Sequence, residues 1–132
     1  MVKPSFLLDS SACIPVLRNH PKLGNLPDPT LTGIPVIVAA ELWTGVKKNL
    51  RTHPQNAAKL EAFLSLFPVL ELTVEAALEY ADIRAALEAK GTPIGPLDLL
   101  IAAQARSVGA TLVTANVREF RRVKGLKVMA WN

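Results

Sequence analysis

Four carboxylates stand inside or against apolar stretches, where an ionised side chain is costly: Asp9, Glu41, Asp98 and Glu119. Asp9 closes the run Phe6-Leu7-Leu8, and Glu41 follows Val36-Ile37-Val38-Ala39-Ala40. Asp98 opens Leu99-Leu100-Ile101-Ala102-Ala103, and Glu119 comes a short link after Leu112-Val113-Thr114. Ionised Asp and Glu are almost never fully buried unless they are paired, and those runs contain no Lys or Arg to pair with them. A fold that accepts this pattern has to gather the acids, and a divalent cation is the economical way to hold them together. The four are therefore the candidate catalytic residues of a metal-dependent hydrolase.

The 132 residues suit one domain spanning 1–132, able to bury roughly two thirds of its unfolded surface. Half of the residues are hydrophobic, which argues against disorder. No apolar run reaches the ~18 residues that a membrane span needs. Met1-Val2-Lys3-Pro4 leads straight into a strand-like segment without a signal-peptide core, and Cys13, the single cysteine, excludes an internal disulfide framework. A cytoplasmic location is the expectation. The net charge of +4 is a modest excess, compatible with a polyanion or with a solvated basic surface. Its distribution is more informative. Lys47, Lys48 and Arg51 form one cluster, and Arg118, Arg121, Arg122, Lys124 and Lys127 form another, each close in sequence to one of the acids. Negative walls with a positive rim suit a phosphodiester.

Along the chain, strand-like and helix-like segments alternate. Phe6 to Asp9 reads as a buried strand, and residues 11 to 18 as a short helix that Ser10 and Ser11 can cap, with Pro15 in its first turn. Residues 19 to 34, with three prolines and two glycines, read as loop. Pro35 to Val38 reads as a second strand, followed by a helix from Ala39 to about Leu50. Leu60, Phe63, Leu64 and Phe67 mark an amphipathic helix over 56 to 67. Val69 to Leu72 reads as a third strand. Residues 74 to 90 read as a long helix with Leu78, Ala81 and Leu87 near one face, and 97 to 108 as another between Pro96 and Gly109. Thr111 to Thr114 and Lys127 to Ala130 are the fourth and fifth strands. Strands separated by helices predict an α/β sheet covered on both faces. Ligands of open parallel sheets bind outside the carboxyl ends of the strands. Asp9 and Glu119 fall at or just after such ends, and Glu41 lies early in a helix just past a strand. Asp98 falls in the first turn of its helix, where the positive end favours an anion. One edge of the sheet can therefore gather all four.

An all-oxygen donor set suits Mg²⁺ or Mn²⁺. Zinc is disfavoured, because His20 and His53 lie far apart in sequence, both in proline-containing loop segments. Two unit charges 4 Å apart repel by about 4 kcal/mol at an effective dielectric near 20, so one or more of the acids should have a raised pKa without metal. Asp9 and Asp98 are assigned as the principal ligands. Glu41 is either a ligand or the group that orients a water, and Glu119 is the weakest member of the set, acting directly or through water. Ser10, Ser11, Thr114 and Asn116 are the supporting polar residues, although serines after a strand are also ordinary helix caps and Thr-x-Asn is ordinary turn chemistry.

These residues, taken in order, resemble the PIN-domain ribonucleases, and among them the VapC toxins of toxin–antitoxin pairs. The matching pieces are Leu7-Leu8-Asp9-Ser10-Ser11, Ala40-Glu41-Leu42 with Gly45, Pro93-Ile94-Gly95-Pro96-Leu97-Asp98 running into Ile101-Ala102-Ala103, Leu112-Val113-Thr114-Ala115-Asn116, and Glu119-Phe120. The closing Val123-Lys124-Gly125-Leu126 and Trp131 look similar too. The resemblance implies a three-layer α/β/α fold with a central parallel sheet of four to five strands. It also implies an endoribonuclease that uses Mg²⁺ or Mn²⁺, with transfer RNA as a fair substrate, and a homodimer. A cognate VapB-type antitoxin would cover the site and bind operator DNA together with the toxin. The family's acids map onto Asp9, Glu41, Asp98 and Glu119, and its polar positions onto Ser10 and Thr114. Ser11 stands where Asn is common, Ala115 where a polar or basic residue is common, and Glu119 where many relatives carry Asp.

Other readings fit less well. A haloacid-dehalogenase-like phosphatase needs a second acid two residues after the first, where this chain has Ser11. A receiver domain needs an acceptor Asp ending a middle strand, and here only Glu71 lies in that region. A PIN-like module that binds RNA or protein without cutting is the alternative from another functional class. Cys13 reads as a small core residue, and Trp43 and Trp131 as packing or interface residues.

Overall fold

The computed structural model describes residues 3–17 and 27–131. The residue-19–26 part of the expected loop, with His20, and the last residue of the 11–18 helix lie outside these. Five strands form one all-parallel sheet: β1 (Phe6–Leu8), β2 (Thr32–Pro35), β3 (Val69–Leu70), β4 (Thr111–Thr114) and β5 (Lys127–Ala130). Their order is β3-β2-β1-β4-β5. Six α-helices connect them among the described residues: α1 (Ser10–Leu17), α2 (Val36–Lys48), α3 (Asn56–Ser65), α4 (Val74–Ala89), α5 (Pro96–Val108) and α6 (Val117–Phe120).

That order places the ligand crevice. From β1 the chain steps outward to β2 and β3, then returns across the sheet to β4 and β5. Crossovers between parallel strands are right-handed almost without exception. The outward steps therefore put α1 to α3 on one face, and the return puts α4 to α6 on the other. The resulting three layers are the expected fold class. β1 and β4 are neighbours whose following helices leave to opposite faces, so the topological switch point lies beyond their carboxyl ends. Leu7, Leu8, Leu112 and Val113 are buried in the core beneath it.

Two sequence expectations are corrected. The second strand is Thr32–Pro35 rather than Pro35 to Val38, and α2 starts at Val36 rather than Ala39. A continuous apolar run cannot distinguish a buried strand from a buried helix. Pro35, extended at φ −60° and ψ 141°, ends the strand and caps the helix, so Val36, Ile37 and Val38 enter the helix although they are β-branched. Gly33 looks like a loop residue, but it is a strand residue at a close approach. A Cβ there would lie 2.6 Å from Leu70 Cδ1 and 3.3 Å from the Pro68 carbonyl oxygen. The second correction concerns α4. It buries Ala76, Ile83 and Leu87, while Leu78 is 65 % exposed and Ala81 is exposed as well. The inward stripe is offset from the one that Leu78 and Ala81 would define. The remaining elements agree within a few residues, except that β3 keeps only Val69 and Leu70 of the expected four and α6 was expected as a link.

The edge strand β3 is short and has a single sheet neighbour, so it needs other support. Gln104 of α5, a buried polar side chain, supplies it through Nε2, which donates to the Leu70 carbonyl at 3.0 Å and the Glu71 carbonyl at 3.1 Å. Replacing Gln104 with Leu keeps the bulk and removes both donors. A loss of about 1–2 kcal/mol is expected, read as a lower urea midpoint with an unchanged m-value. An unmoved midpoint would mean that the ladder with β2 holds β3 unaided.

Candidate active site

Asp9 follows β1 directly and is 4 % exposed. Its backbone N–H donates to the Val113 carbonyl of β4 at 3.2 Å, continuing the sheet by one residue. Its carboxylate caps α1, with Oδ1 accepting from the Ala12 N–H at 3.1 Å and from the Ser11 hydroxyl at 2.6 Å, while Oδ2 accepts a short hydrogen bond from the Thr114 hydroxyl at the end of β4. The hydroxyl protons are directed by what the same oxygens accept. Ser11 Oγ accepts the Ala115 N–H at 2.9 Å, and Thr114 Oγ1 accepts the Asn116 N–H at 2.9 Å. Each hydroxyl is thereby aimed at Asp9. A carboxylate has about four lone pairs, and these bonds use most of them. Burial raises the Asp9 pKa, and the bonds from Ser11, Thr114 and the Ala12 and Ser11 backbone oppose it.

Glu41, the sixth residue of α2, is half-buried beside this network. Ser10 hydrogen-bonds to its carboxylate, yet Oε1 is buried without a hydrogen-bond partner. Burial and then the negative charge of Asp9 push its pKa up. The same two charges act on Cys13, whose thiol is raised first by burial and then by Asp9 and Glu41. Cys13 is thus the small core residue expected of it.

Asp98 sits in the first turn of α5, which Gly95 and Pro96 open. It pairs with Glu119 of α6. Burial raises the Asp98 pKa to about 7, followed by the charge of Glu119, a hydrogen bond with it, and the charges of Glu41 and Asp9. Burial also pushes Glu119 upward, but bonds from Asn116, Gly95 and Asp98 and the charge of Arg122 outweigh it, so Glu119 lies below its ordinary value. Asn116 Nδ2 donates to Glu119 Oε2 at 2.5 Å, and the Gly95 N–H donates to Oε1 at 3.4 Å. The pair therefore shares one proton, held on Asp98.

The structure thus brings the four acids to the switch point in three local groups: Asp9 with Ser11 and Thr114, Glu41 with Ser10, and Asp98 with Glu119 and Asn116. Glu41 feels the charge of Asp9, and Asp98 feels the charges of both. The Ser11 hydroxyl, read in the sequence also as a plain helix cap, binds Asp9, while Ser10 serves Glu41. The Gly95 N–H contact with Glu119 has no signature in a sequence, because any non-proline residue carries that donor.

The donor set is hard oxygen throughout, with an orphaned buried Glu41 oxygen and a carboxyl pair sharing a proton that a cation would displace. Those features fit a divalent metal. Among the described residues, no three Asp, Glu, His or Cys side chains are already drawn together at metal-binding separation.

The family model described as "PIN domain" matches residues 6–126. The chain belongs to the PIN-domain family. Within it, the relatives are VapC ribonucleases. The chain is 38 % identical over 130 residues to a tRNA(fMet)-specific endonuclease VapC of Salmonella typhimurium, covering 96 % of this chain and 97 % of the relative. It is 36 % identical over 132 residues to ribonuclease VapC2 of Rickettsia felis, covering 96 % and 98 %. Among solved structures, DNA-bound VapBC of Salmonella typhimurium superposes with a TM-score of 0.86 at 37 % identity over the whole of both chains. VapBC2 of Rickettsia felis, bound to a DNA fragment from its promoter, gives 0.86 at 35 % identity, covering 96 % of this PIN domain and 98 % of that chain. PIN-domain nucleases as a class depend on divalent metal, in keeping with the donor set. No helix among the described residues of this PIN domain is long and apolar enough to cross a membrane.

The raised acids give a pH signature. A carboxyl whose folded pKa exceeds its unfolded value adds stability that is fully present below the unfolded pKa and lost as pH rises through the folded one. Asp98 carries this from near 3.8 to about 7, and Asp9 and Glu41 act in the same direction. Glu119 acts oppositely, at acid pH only. The metal-free PIN domain should therefore melt at a lower temperature at pH 8 than at pH 5.5. Added divalent cation should raise the melting temperature more at pH 8, where no proton has to be displaced. Metal-free melting that does not change between these pH values would contradict the shared proton.

Proposed function

We propose that this chain is a metal-dependent endoribonuclease, the toxin of a type II toxin–antitoxin pair, which hydrolyses RNA phosphodiester bonds in the cytoplasm with Mg²⁺ or Mn²⁺. The observation that carries this is the convergence of four mutually repelling carboxylates at the switch point of a parallel sheet. Asp9 and Asp98 are the principal metal ligands, with Glu41 and Glu119 beside them. When bound, the cation supplies Lewis acidity toward a phosphoryl oxygen and lowers the pKa of a nearby water. The chain's own groups do the rest. Thr114 and Ser11 fix the Asp9 carboxylate, and Ser10 steadies Glu41, whose free Oε1 accepts a hydrogen bond or a proton from the attacking water. Asn116 and the Gly95 N–H hold Glu119 against Asp98.

Transfer RNA is the substrate class favoured by the Salmonella relative's name. A VapB-type antitoxin is the expected partner, with operator DNA bound through that complex, as in the solved VapBC assemblies. A groove of about 470 Å³ runs between α1, α2 and α3 from Ser10 and Glu41 past Ile14 and Val46 to Leu60. It is suited to an antitoxin segment that ends at the acids. The active form is a homodimer.

Cleavage of a mixed RNA pool by antitoxin-free protein tests this reading, with Mg²⁺ or Mn²⁺ and with EDTA. Defined cuts that need metal are expected. Asp9→Asn and Asp98→Asn should each slow them roughly 100-fold or more, with circular dichroism unchanged. Folded protein that leaves every pool intact would favour a binding role instead.

A further inference from the structure

The acid centre has a basic flank that the proposed chemistry does not yet use. A cavity of about 520 Å³ opens beside Glu119, between the Pro93–Gly95 loop on one side and Asn116, Arg118 and Arg122 on the other. Glu119 lines this cavity and also pairs with Asp98, so the two spaces share a wall. The neighbouring arginines differ in how their charge is committed. Arg84 and Arg106 are ion-paired, with Glu88 at 2.9 Å and Glu79 at 2.5 Å. Arg118 and Arg122 are exposed and make no ion pair within 4.0 Å among the described residues, even though Glu119 lines the same cavity. Arg122 is held in place instead by a hydrogen bond from Nη1 to the Pro93 carbonyl at 3.2 Å. A guanidinium has five donors, so one anchoring bond leaves most of the fork to bind something else.

Two exposed cations without an ion pair beside an acidic centre, of which Arg122 lends only its charge to Glu119, are poorly explained by stability, because exposed charges add little to it. They are well explained by an anionic ligand, since Arg binds phosphate through two parallel hydrogen bonds. We infer that this cavity is a phosphate subsite, in which Arg118 and Arg122 bind the RNA phosphodiester adjacent to the one being cut. The inference rests on the nuclease reading. It assigns the two arginines to substrate positioning and leaves the chemistry to the acids. The other basic cluster, Lys47, Lys48 and Arg51, does not line this cavity.

The test compares Arg118→Ala, Arg122→Ala and Arg118→Lys with wild type and with Lys3→Ala, an exposed charge ahead of β1 at the opposite end of the sheet. Cleavage with Mg²⁺ or Mn²⁺ gives kcat and KM. Fluorescence anisotropy of a short single-stranded RNA in EDTA gives affinity across a salt series. Each alanine variant should raise KM and weaken RNA binding about tenfold with kcat little changed. Each should also flatten the slope of log affinity against log salt by about 0.7, the contribution of one single-strand phosphate contact. Arg118→Lys should recover the slope, and Lys3→Ala should match wild type. Because Arg122→Ala also frees the Pro93 loop, Arg118→Ala carries the decision. Wild-type cleavage with Arg118→Ala unchanged in KM and salt slope, or altered in kcat alone, would overturn the subsite and leave the nuclease reading standing. No metal-dependent cleavage by wild type would defeat the nuclease reading and take the subsite with it.

Discussion

The hydrogen bonds that converge on the Asp9 carboxylate tie the fold to the site. A nearly buried carboxylate is tolerable only when its lone pairs are used. Here two hydroxyls and a backbone N–H use three of them. One of those hydroxyls belongs to Thr114, so the same contact that makes Asp9 bearable also joins the carboxyl ends of β1 and β4. Those are the two strands whose helices diverge to opposite faces. The crevice exists because the strands are neighbours, and it is acidic because Asp9 marks the end of one of them. Folding energy and the proposed chemistry therefore draw on the same few atoms.

Around this point the electrostatics are arranged in steps. Asp9 is held most firmly. Glu41 has one oxygen held and one left over. Asp98 and Glu119 have reached a compromise in which one stays ionised because Asn116, Gly95 and Arg122 support it, and the other keeps the proton. Environment alone makes four chemically similar groups unequal. A site proposed to bind a cation, position a water and admit a polyanion needs that inequality, because four carboxylates with identical surroundings would have no division of labour.

Much of this was legible in the chain. Apolar runs bounded by turn residues mark β1 and β4, and the costly placement of Asp9, Glu41, Asp98 and Glu119 singles out the candidate site without any geometry. The errors have physical causes. Val36-Ile37-Val38 carries a strand's composition and forms a helix, because Pro35 has already ended the strand and tertiary burial overrides propensity. Gly33 looked like a loop residue because the contact that demands a glycine, with Leu70 and Pro68, comes from a strand more than thirty residues away. Leu78 was expected inside because hydrophobicity shows that a helix has an apolar side but not which neighbour it meets. The pairing of Asp98 with Glu119 and the division of Ser10 and Ser11 between Glu41 and Asp9 are matters of a few ångströms, which no spacing rule resolves.

The bond between Thr114 and Asp9 closes a loop of 105 residues, and Glu119 lies further along still. During synthesis Asp9 is thus made 105 residues before Thr114, and the centre cannot close until both are present. Contacts this distant in sequence form late and slowly. A fragment released early keeps its first carboxylate without the hydroxyl that orients it or the partner acid that balances it.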